Sequence, residues 1–310
     1  MSEPVRFLTS FAQSVATMAL YGPSHPYGYA ELGTEASNKA MTREDLQSFW
    51  SQNFVPNNAA LIVSGQITDA ELRPLVEKSF GDWMRGTPAT PAMGNPSTTS
   101  ARLVIVDKPG SAQTELRVAM IGAPRSTPDY EALRVMNEEL GGLFSSRINL
   151  NLREDHGYTY GAASQFVFRR SAGPFLVATA VRTDVTAPAV TEILKEVGRM
   201  RDTAMTNDEL AMARDSIIRS MPSDFQTSDD VTATTAAIYV YDLGLDYFSK
   251  YRTRLTSVTT EQAKAAAEKY IVPDKLVVVA VGDRSKINAK LQALKLGAVE
   301  VRNADASLAH

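Results

Sequence analysis

The stretch that decides the fold runs Gly141-Gly142-Leu143-Phe144-Ser145-Ser146-Arg147 and on through Leu152-Arg153-Glu154-Asp155-His156-Gly157-Tyr158-Thr159-Tyr160-Gly161. It reads as a glycine turn, a helix carrying Ile148, Leu150 and Leu152, and a strand that opens on two tyrosines. Ser145 or Ser146 can accept from the free amides of the first helical turn, and Gly157 can take the left-handed conformation that closes the last. Arg153 with Tyr158 and Tyr160 thus flanks a sharp helix-to-strand corner that can present a cation and a phenol to one ligand. Residue type alone leaves blander readings open. Arg153 can be a solvated partner of Glu154. Tyr158 and Tyr160, two apart on a strand, share a face on which one can simply fill core.

Working outward, two strands (Leu103–Val106 and Glu115–Ile121, joined at Pro109-Gly110) and a helix from Asp129 to Leu140 precede the corner. Two strands (Tyr158–Phe168 and Pro174–Val181) and three helices (Thr186–Arg201, Asn207–Met221 and about Asp229–Leu243) follow it. A helix near Thr259, a strand at Leu276–Val281 and a last helix from Ser285 to about Leu294 lead to a loose tail at 303–310. Residues 85–100 hold Gly86, Pro88, Pro91, Gly94 and Pro96 and read as a linker. Ahead of it lie an amphipathic helix from Val5 to Leu20, a Pro- and Gly-rich turn around His25, a helix from Thr42 to about Phe54, a strand Ala59–Ser64 and a helix capped by Thr68 or Asp69.

The two ends of the chain repeat one another. Thr42-Arg43-Glu44, Phe54-Val55-Pro56-Asn57 and Leu61-Ile62-Val63-Ser64-Gly65 match Thr259-Thr260-Glu261, Ile271-Val272-Pro273-Asp274 and Val278-Val279-Ala280-Val281-Gly282 at a constant offset of 217 residues. Both copies read helix, proline stop, buried strand, glycine, helix. The second copy has strands and helices in front of it and the first has one helix, so the first domain is expected to lack its front half.

Composition narrows the function classes. The chain has 310 residues, 44% hydrophobic and 22% charged, with a net charge of −3, an ordinary globular balance that gives no reason to expect nucleic acid or an anionic membrane as partner. It has no cysteine, which removes disulfides, thiol catalysis and zinc–thiolate sites and fits bacterial periplasm or cytoplasm. No apolar run reaches the ~20 residues of a membrane span, so the chain is expected to be soluble. Its three histidines, His25, His156 and His310, stand far apart in sequence. His25 reads as loop packing, His156 as an exposed helix end. Ser145-Ser146 has no histidine placed as its base, and Glu138-Glu139, as helix neighbours, face different directions.

These motifs resemble the insulinase/pitrilysin (M16) family of zinc peptidases. Tyr21-Gly22-x-x-His25-Pro26-Tyr27-Gly28, Thr42-x-Glu44-Asp45-Leu46, Pro56-Asn57-Asn58 and Gly65 are similar to the second half of its zinc-bearing domain. Gly141-Gly142, Ser145-Ser146-Arg147, Leu152-Arg153-Glu154 and Gly157-Tyr158-x-Tyr160-Gly161 are similar to its homologous zinc-free domain. The resemblance implies an α+β fold, a twisted mixed or antiparallel sheet with helices on one face. It implies a partial domain at 1–84, a linker at 85–100 and a complete zinc-free domain at 101–302. The family's metal motif is H-x-x-E-H, which places two histidines on one helical face to grip a zinc ion that acidifies a water. This chain has no such pair; the equivalent helix reads Val135-Met136-Asn137-Glu138-Glu139-Leu140. The resemblance therefore implies no catalytic residue and no metal here, with zinc on a missing or partner half. It also implies an arginine–tyrosine pair that binds substrate backbone: Arg153, with Tyr158 or Tyr160. The expected role is the non-catalytic, peptide-binding part of a metalloendopeptidase, inactive alone. Its expected partners are a zinc-bearing half, a peptide and, through exposed apolar surface, a second copy. The competing expectation is a zinc-free homologue with a structural role, like the core subunits of respiratory complexes.

Overall fold

The computed structural model describes residues 3–29, 31–90, 93, 96 and 100–302. In chain order its helices and strands are α1 (Glu3–Tyr21), α2 (Glu35–Ala40), α3 (Arg43–Asn53), α4 (Asp69–Phe80), β1 (Arg102–Asp107), β2 (Gln113–Ile121), α5 (Tyr130–Asn137), α6 (Arg147–Asn149), β3 (Thr159–Phe166) and β4 (Pro174–Arg182). There follow α7 (Thr186–Asp202), α8 (Asn207–Ser220), α9 (Ser228–Tyr241), α10 (Tyr247–Ser257), α11 (Thr260–Tyr270), β5 (Val277–Gly282), α12 (Arg284–Gln292) and β6 (Ala298–Arg302). Two stretches wind wider, as π-helix: Glu138–Gly142 after α5 and Leu150–Asp155 after α6. The chain divides into two compact units, one of residues 1–29, 94–218 and 250–310, the other of 30–93 and 219–249.

The first unit is built on a six-stranded sheet in the order β3-β4-β2-β5-β1-β6. β5 runs parallel to β1 and β1 parallel to β6, whereas β2, β4 and β3 pair antiparallel. This is the mixed α+β sheet expected. Its central strands bury nearly every residue: Leu103, Val104, Ile105 and Val106 in β1, and all six positions of β5. Such a run, apolar on both faces, needs cover on both. On one face α5, α7 and α12 supply it, with α11 packed on α5 and α7. The other face corrects the expectation of helices on a single side, because α1 lies across it. Ala12, Val15, Ala16, Ala19 and Leu20, spaced as one helical stripe, pack on Val104, Val106, Ala119, Val277 and Val279. Arg117 Nη2 ties the helix down by donating to the Thr9 carbonyl at 3.0 Å, and Arg102 donates to the Ala19 carbonyl.

The second unit holds α2, α3, α4 and α9. All four start on a Thr capping box, Thr34 with Ser37, Thr42 with Asp45, Thr68 with Glu71 and Thr227 with Asp230, in which side chain and backbone satisfy each other's orphan groups. Hydrogen bonds from Thr42 and from Thr68 hold Asp45 and Glu71 below the usual carboxylate range. The expected strand at Ala59–Ser64 does not form: residues 59–64 are irregular, and Leu61 and Val63 are exposed. A strand exists only when its backbone groups find a neighbour, and the described residues supply none there. Three elements form beyond those expected, α2, α10 and β6. The described residues of 85–100 form no helix or strand, and the expected loose tail at 303–310 lies outside the described residues.

Candidate functional site

The corner is built as a helix end held from below. α5 passes into the π-helical turn Glu138–Gly142, which brings Gly141 onto β3. A Cβ on Gly141 would stand 2.4 Å from the Ser164 amide nitrogen, so no larger residue fits without backbone movement. Beneath, the Arg147 guanidinium is buried and grips Glu209 of α8 in a fork, Nε to Oε1 at 3.0 Å and Nη2 to Oε2 at 2.8 Å. The same carboxylate accepts from the Thr206 amide at 2.7 Å. Burial works to raise the Glu209 pKa, but the bonds from Arg147 and Thr206 outweigh it and hold it low. Glu139, 3.6 Å from Arg147, has no such set of donors. Burial first, and the Glu209 charge second, push its carboxyl up to about 7. Asn151 adds a second anchor, donating to Glu192 and Glu196 of α7 at 2.9 and 3.0 Å.

With Arg147 and Asn151 turned inward, Arg153 is left at the outer side of the π-helical turn Leu150–Asp155. Its side chain is one-third exposed. The guanidinium carbon sits 4.3 Å from the Phe144 ring centroid, within cation–π range. Nε lies 3.5 Å from Glu154, and Nη1 is buried and meets no acceptor among the described residues. The helix closes as its sequence implies. Gly157 has φ +61°, its amide donates to Arg153 O, and the Tyr158 amide donates to Leu152 O. The serines do otherwise. Neither hydroxyl caps α6; Ser146 Oγ is buried without a partner and Ser145 Oγ stands 3.9 Å from Met212 Sδ.

The two tyrosines do not share a face as strict strand alternation predicts. Tyr158 precedes β3 and packs against His156, ring centroids 4.9 Å apart. Tyr160 falls inside an irregularity of the β3–β4 pairing between Thr159 and Ala162, and it is 92% exposed. A bulge of this kind re-aims a side chain. Tyr160, Phe144, Asn149, Gly141, Gly142 and Gly161 line an open groove of about 380 Å³. Phe144 is the link between the groove and the guanidinium, since its ring carries Arg153. Residue typing missed Phe144, an aromatic in a turn and 69% exposed. It also missed Asn149, which donates to the Phe144 carbonyl at 2.6 Å and accepts from the Ala162 amide at 3.0 Å. An asparagine inside a helix, where it is a poor former, was the available signal.

The described residues do not fit a zinc ion. They contain no group of three or more His, Asp or Glu placed to hold a metal. His25 is buried with Nδ1 accepting from the Tyr27 amide, as loop packing implies, and His156 Nδ1 lies 2.9 Å from the Asn151 carbonyl oxygen. No described helix is long and apolar enough to cross a membrane.

A six-stranded mixed sheet of this order with helices packed on it is an α+β fold. Residues 40–217, more than half the chain, match the model of the peptidase M16 inactive domain. The chain belongs to the M16 family. It is similar to an uncharacterized zinc protease of Mycobacterium leprae, 28% identical over 205 residues that make up 64% of this chain and 45% of that protein. It is also similar to the uncharacterized zinc protease YmxG of Bacillus subtilis, 30% identical over 146 residues, 47% of this chain and 34% of that one. The aligned region thus spans less than half the length of these relatives. Among solved structures, a peptidase M16 inactive domain from Pseudomonas fluorescens superposes with a TM-score of 0.81 at 26% identity, covering 88% of this chain and 65% of that one. A chain of complex III2 from Candida albicans shares the fold, with a TM-score of 0.75 at 13% identity over 93% of this chain and 73% of the other.

Proposed function

We propose that the chain is the non-catalytic, peptide-binding part of an M16-type zinc metalloendopeptidase, and that it completes the active site of a zinc-bearing half. One observation carries the reading: the one-third-exposed Arg153 guanidinium lies on the Phe144 ring with its buried Nη1 unmatched, and Phe144 lines a groove whose rim is the exposed Tyr160. A guanidinium that is always protonated can donate two bonds to a peptide carbonyl. A phenol at the groove can donate to an oxygen on which charge develops. Tyr160 is the better-placed phenol; Tyr158 is held against His156 and lines no part of the groove. Zinc, when a partner half holds it, activates the water, and this chain's share is to grip and orient the peptide.

The grip is short. β3 is an edge strand, the usual place for a peptide to add. Yet its outward groups are occupied beyond Gly161, where Asn149 takes the Ala162 amide and Asn137 Nδ2 donates to the Ser164 carbonyl at 2.9 Å. These side chains stand where a further strand would pair, a familiar way to blunt an edge. Gly161 is occupied as well, its amide donating to Thr159 Oγ1 and its carbonyl accepting from Thr159 and Thr179, so peptide backbone is met at Tyr160 and not along the length of β3.

The test mixes the chain with a zinc-bearing M16 half and a quenched fluorescent peptide. Wild type should raise cleavage, Arg153→Ala should lower kcat/KM by about tenfold to a hundredfold, and Tyr160→Phe should cost more than Tyr158→Phe. If Arg153→Ala equals wild type, the corner does not bind substrate. If wild type adds nothing to cleavage while still binding the zinc half, the role is structural.

A further inference from the structure

The floor of the groove is joined to a buried cluster of charges that peptide binding does not itself use. Gly141 and Gly142 of the π-helical turn Glu138–Gly142 line the groove. Asn137, at the foot of the turn, fastens it to β3 through Ser164, donating to its carbonyl and accepting from its hydroxyl, both at 2.9 Å. Glu139, in the same turn, is instead buried against Arg147, 3% exposed and 3.6 Å from Nε. One short turn therefore has the groove on one side and an ionisable group in the core on the other.

The cluster sets two carboxylates against one buried guanidinium. Arg147 commits Nε and Nη2 to Glu209, its Nη1 is buried without an acceptor, and Glu139 Oε2 is buried without a donor. The charged groups that reach Glu139 are Arg147 from α6, Glu209 from α8 and Arg199 from α7. Arg199 is half-exposed and lies 3.6 Å from Glu196. On α5, Arg134 acts on Glu138, and Glu131 pairs with Arg254; β3 carries no charged side chain. With Glu139 protonated, Arg147 and Glu209 balance. With Glu139 ionised, a second buried carboxylate competes for a guanidinium already taken, and a charge left so is costly enough to move its surroundings. The fork and the Thr206 amide hold α6 and α8 in place, so the part that gives way is the turn, wound in the rarer π form.

We propose, resting on the peptide-binding reading of this groove, that Glu139 is its positioning residue. Protonated, it holds the turn Glu138–Gly142 against α8, so that Gly141, Gly142 and the adjoining Phe144 stand where peptide is gripped. Ionised, it lets the turn move and the grip weakens. Burial, and after it the Glu209 charge, bring the carboxyl up to about 7, far above the range in which exposed carboxylates titrate. A carboxyl raised in this way keeps its proton below that pH and loses it above, so peptide is held more tightly at about pH 6 than at about pH 8.

Two readouts on the full chain test this. The Leu143 amide donates to the Glu138 carbonyl at 3.0 Å and closes the turn. Between about pH 6 and pH 8 its hydrogen-exchange protection factor should fall at least about tenfold further than those of the β5 amides, and Glu139→Gln should remove that difference. In the assay with a zinc-bearing half and a quenched fluorescent peptide, titration of the zinc half cancels in the ratio of Glu139→Gln to wild type. That ratio, in kcat/KM, should rise at least about threefold over the same span, carried by KM. Arg199→Gln, at a half-exposed site, removes a cation that favours the ionised form, so the midpoint of both changes should move to higher pH. A packing role for Glu139 gives no such shift. The proposal is overturned if Leu143 protection follows that of β5, or if it titrates while the ratio stays flat, which leaves Glu139 a matter of stability alone. Failure of the peptide-binding reading looks different: Arg153→Ala equals wild type at every pH while Leu143 protection still falls, and that result ends the proposal too.

Discussion

Residues 59–65 and 276–282 share an apolar run closed by a glycine and are folded in opposite ways. The later segment is the most enclosed strand of the molecule, paired on both edges and covered on both faces. The earlier one is irregular and open to solvent. The same contrast holds for the units that contain them. The first has a long apolar core, whereas in the second only Val55 and Tyr247 are buried among the described residues. Two segments of like composition thus differ in structure because one has neighbours for its amides and the other does not. Local sequence proposes a strand, and pairing decides whether one exists.

The largest effect that can break this comparison is a paired charge insertion. Val278→Asp puts an unpaired carboxylate into the sheet and should cost at least about 4 kcal/mol, seen as a collapse of the urea midpoint. Leu61→Asp, at the matching position, should change stability by no more than about 0.5 kcal/mol. Equal effects would mean that residues 59–65 are enclosed after all. Next in size is Gly141→Ala, whose methyl must displace the β3 backbone; a loss of about 1–3 kcal/mol is expected, with wild-type helix content by circular dichroism. The core unit should also show a pH dependence that the exposed unit lacks. Because the folded-state pKa of Glu139 is raised to about 7, the native protein holds a proton that the unfolded chain has already released above its ordinary value of 4.5. Stability from this group is present below that value and is lost as pH rises to about 7. Urea midpoints should fall over that window, and Glu139→Gln should flatten the fall. The smallest effect sharpens the contrast. Thr42 and Thr259 cap their helices with the same hydrogen bonds, to the Asp45 and Gln262 amides. Thr259→Ala should lower global stability by about 1 kcal/mol, whereas Thr42→Ala should speed amide exchange only within α3.

Much of this was legible beforehand. Caps, glycines and apolar runs mark α3, α4, α5, α7, α8, α11 and α12 and the strands β1 to β5, because these are short-range preferences of backbone and side chain. The helix-to-strand corner could be read from Leu152 to Gly157, and Gly157 takes the left-handed conformation its position demands. The candidate site was legible only in part. Arg153 and Tyr160 stand out by residue type, but Phe144, which carries the guanidinium, and Asn149, which joins the Phe144 loop to β3, are chosen by contacts five and thirteen residues away.

By itself, then, the order of residues determined which segments favour helix or strand, where the chain turns, and that no histidine pair for a metal is present. Tertiary structure alone decided that α1 covers the far face of the sheet, that Tyr158 and Tyr160 part company at a bulge, and that one of two matching strands stays unformed. Those outcomes depend on which surfaces meet and which hydrogen-bonding groups find partners far along the chain, and a local pattern holds no record of either.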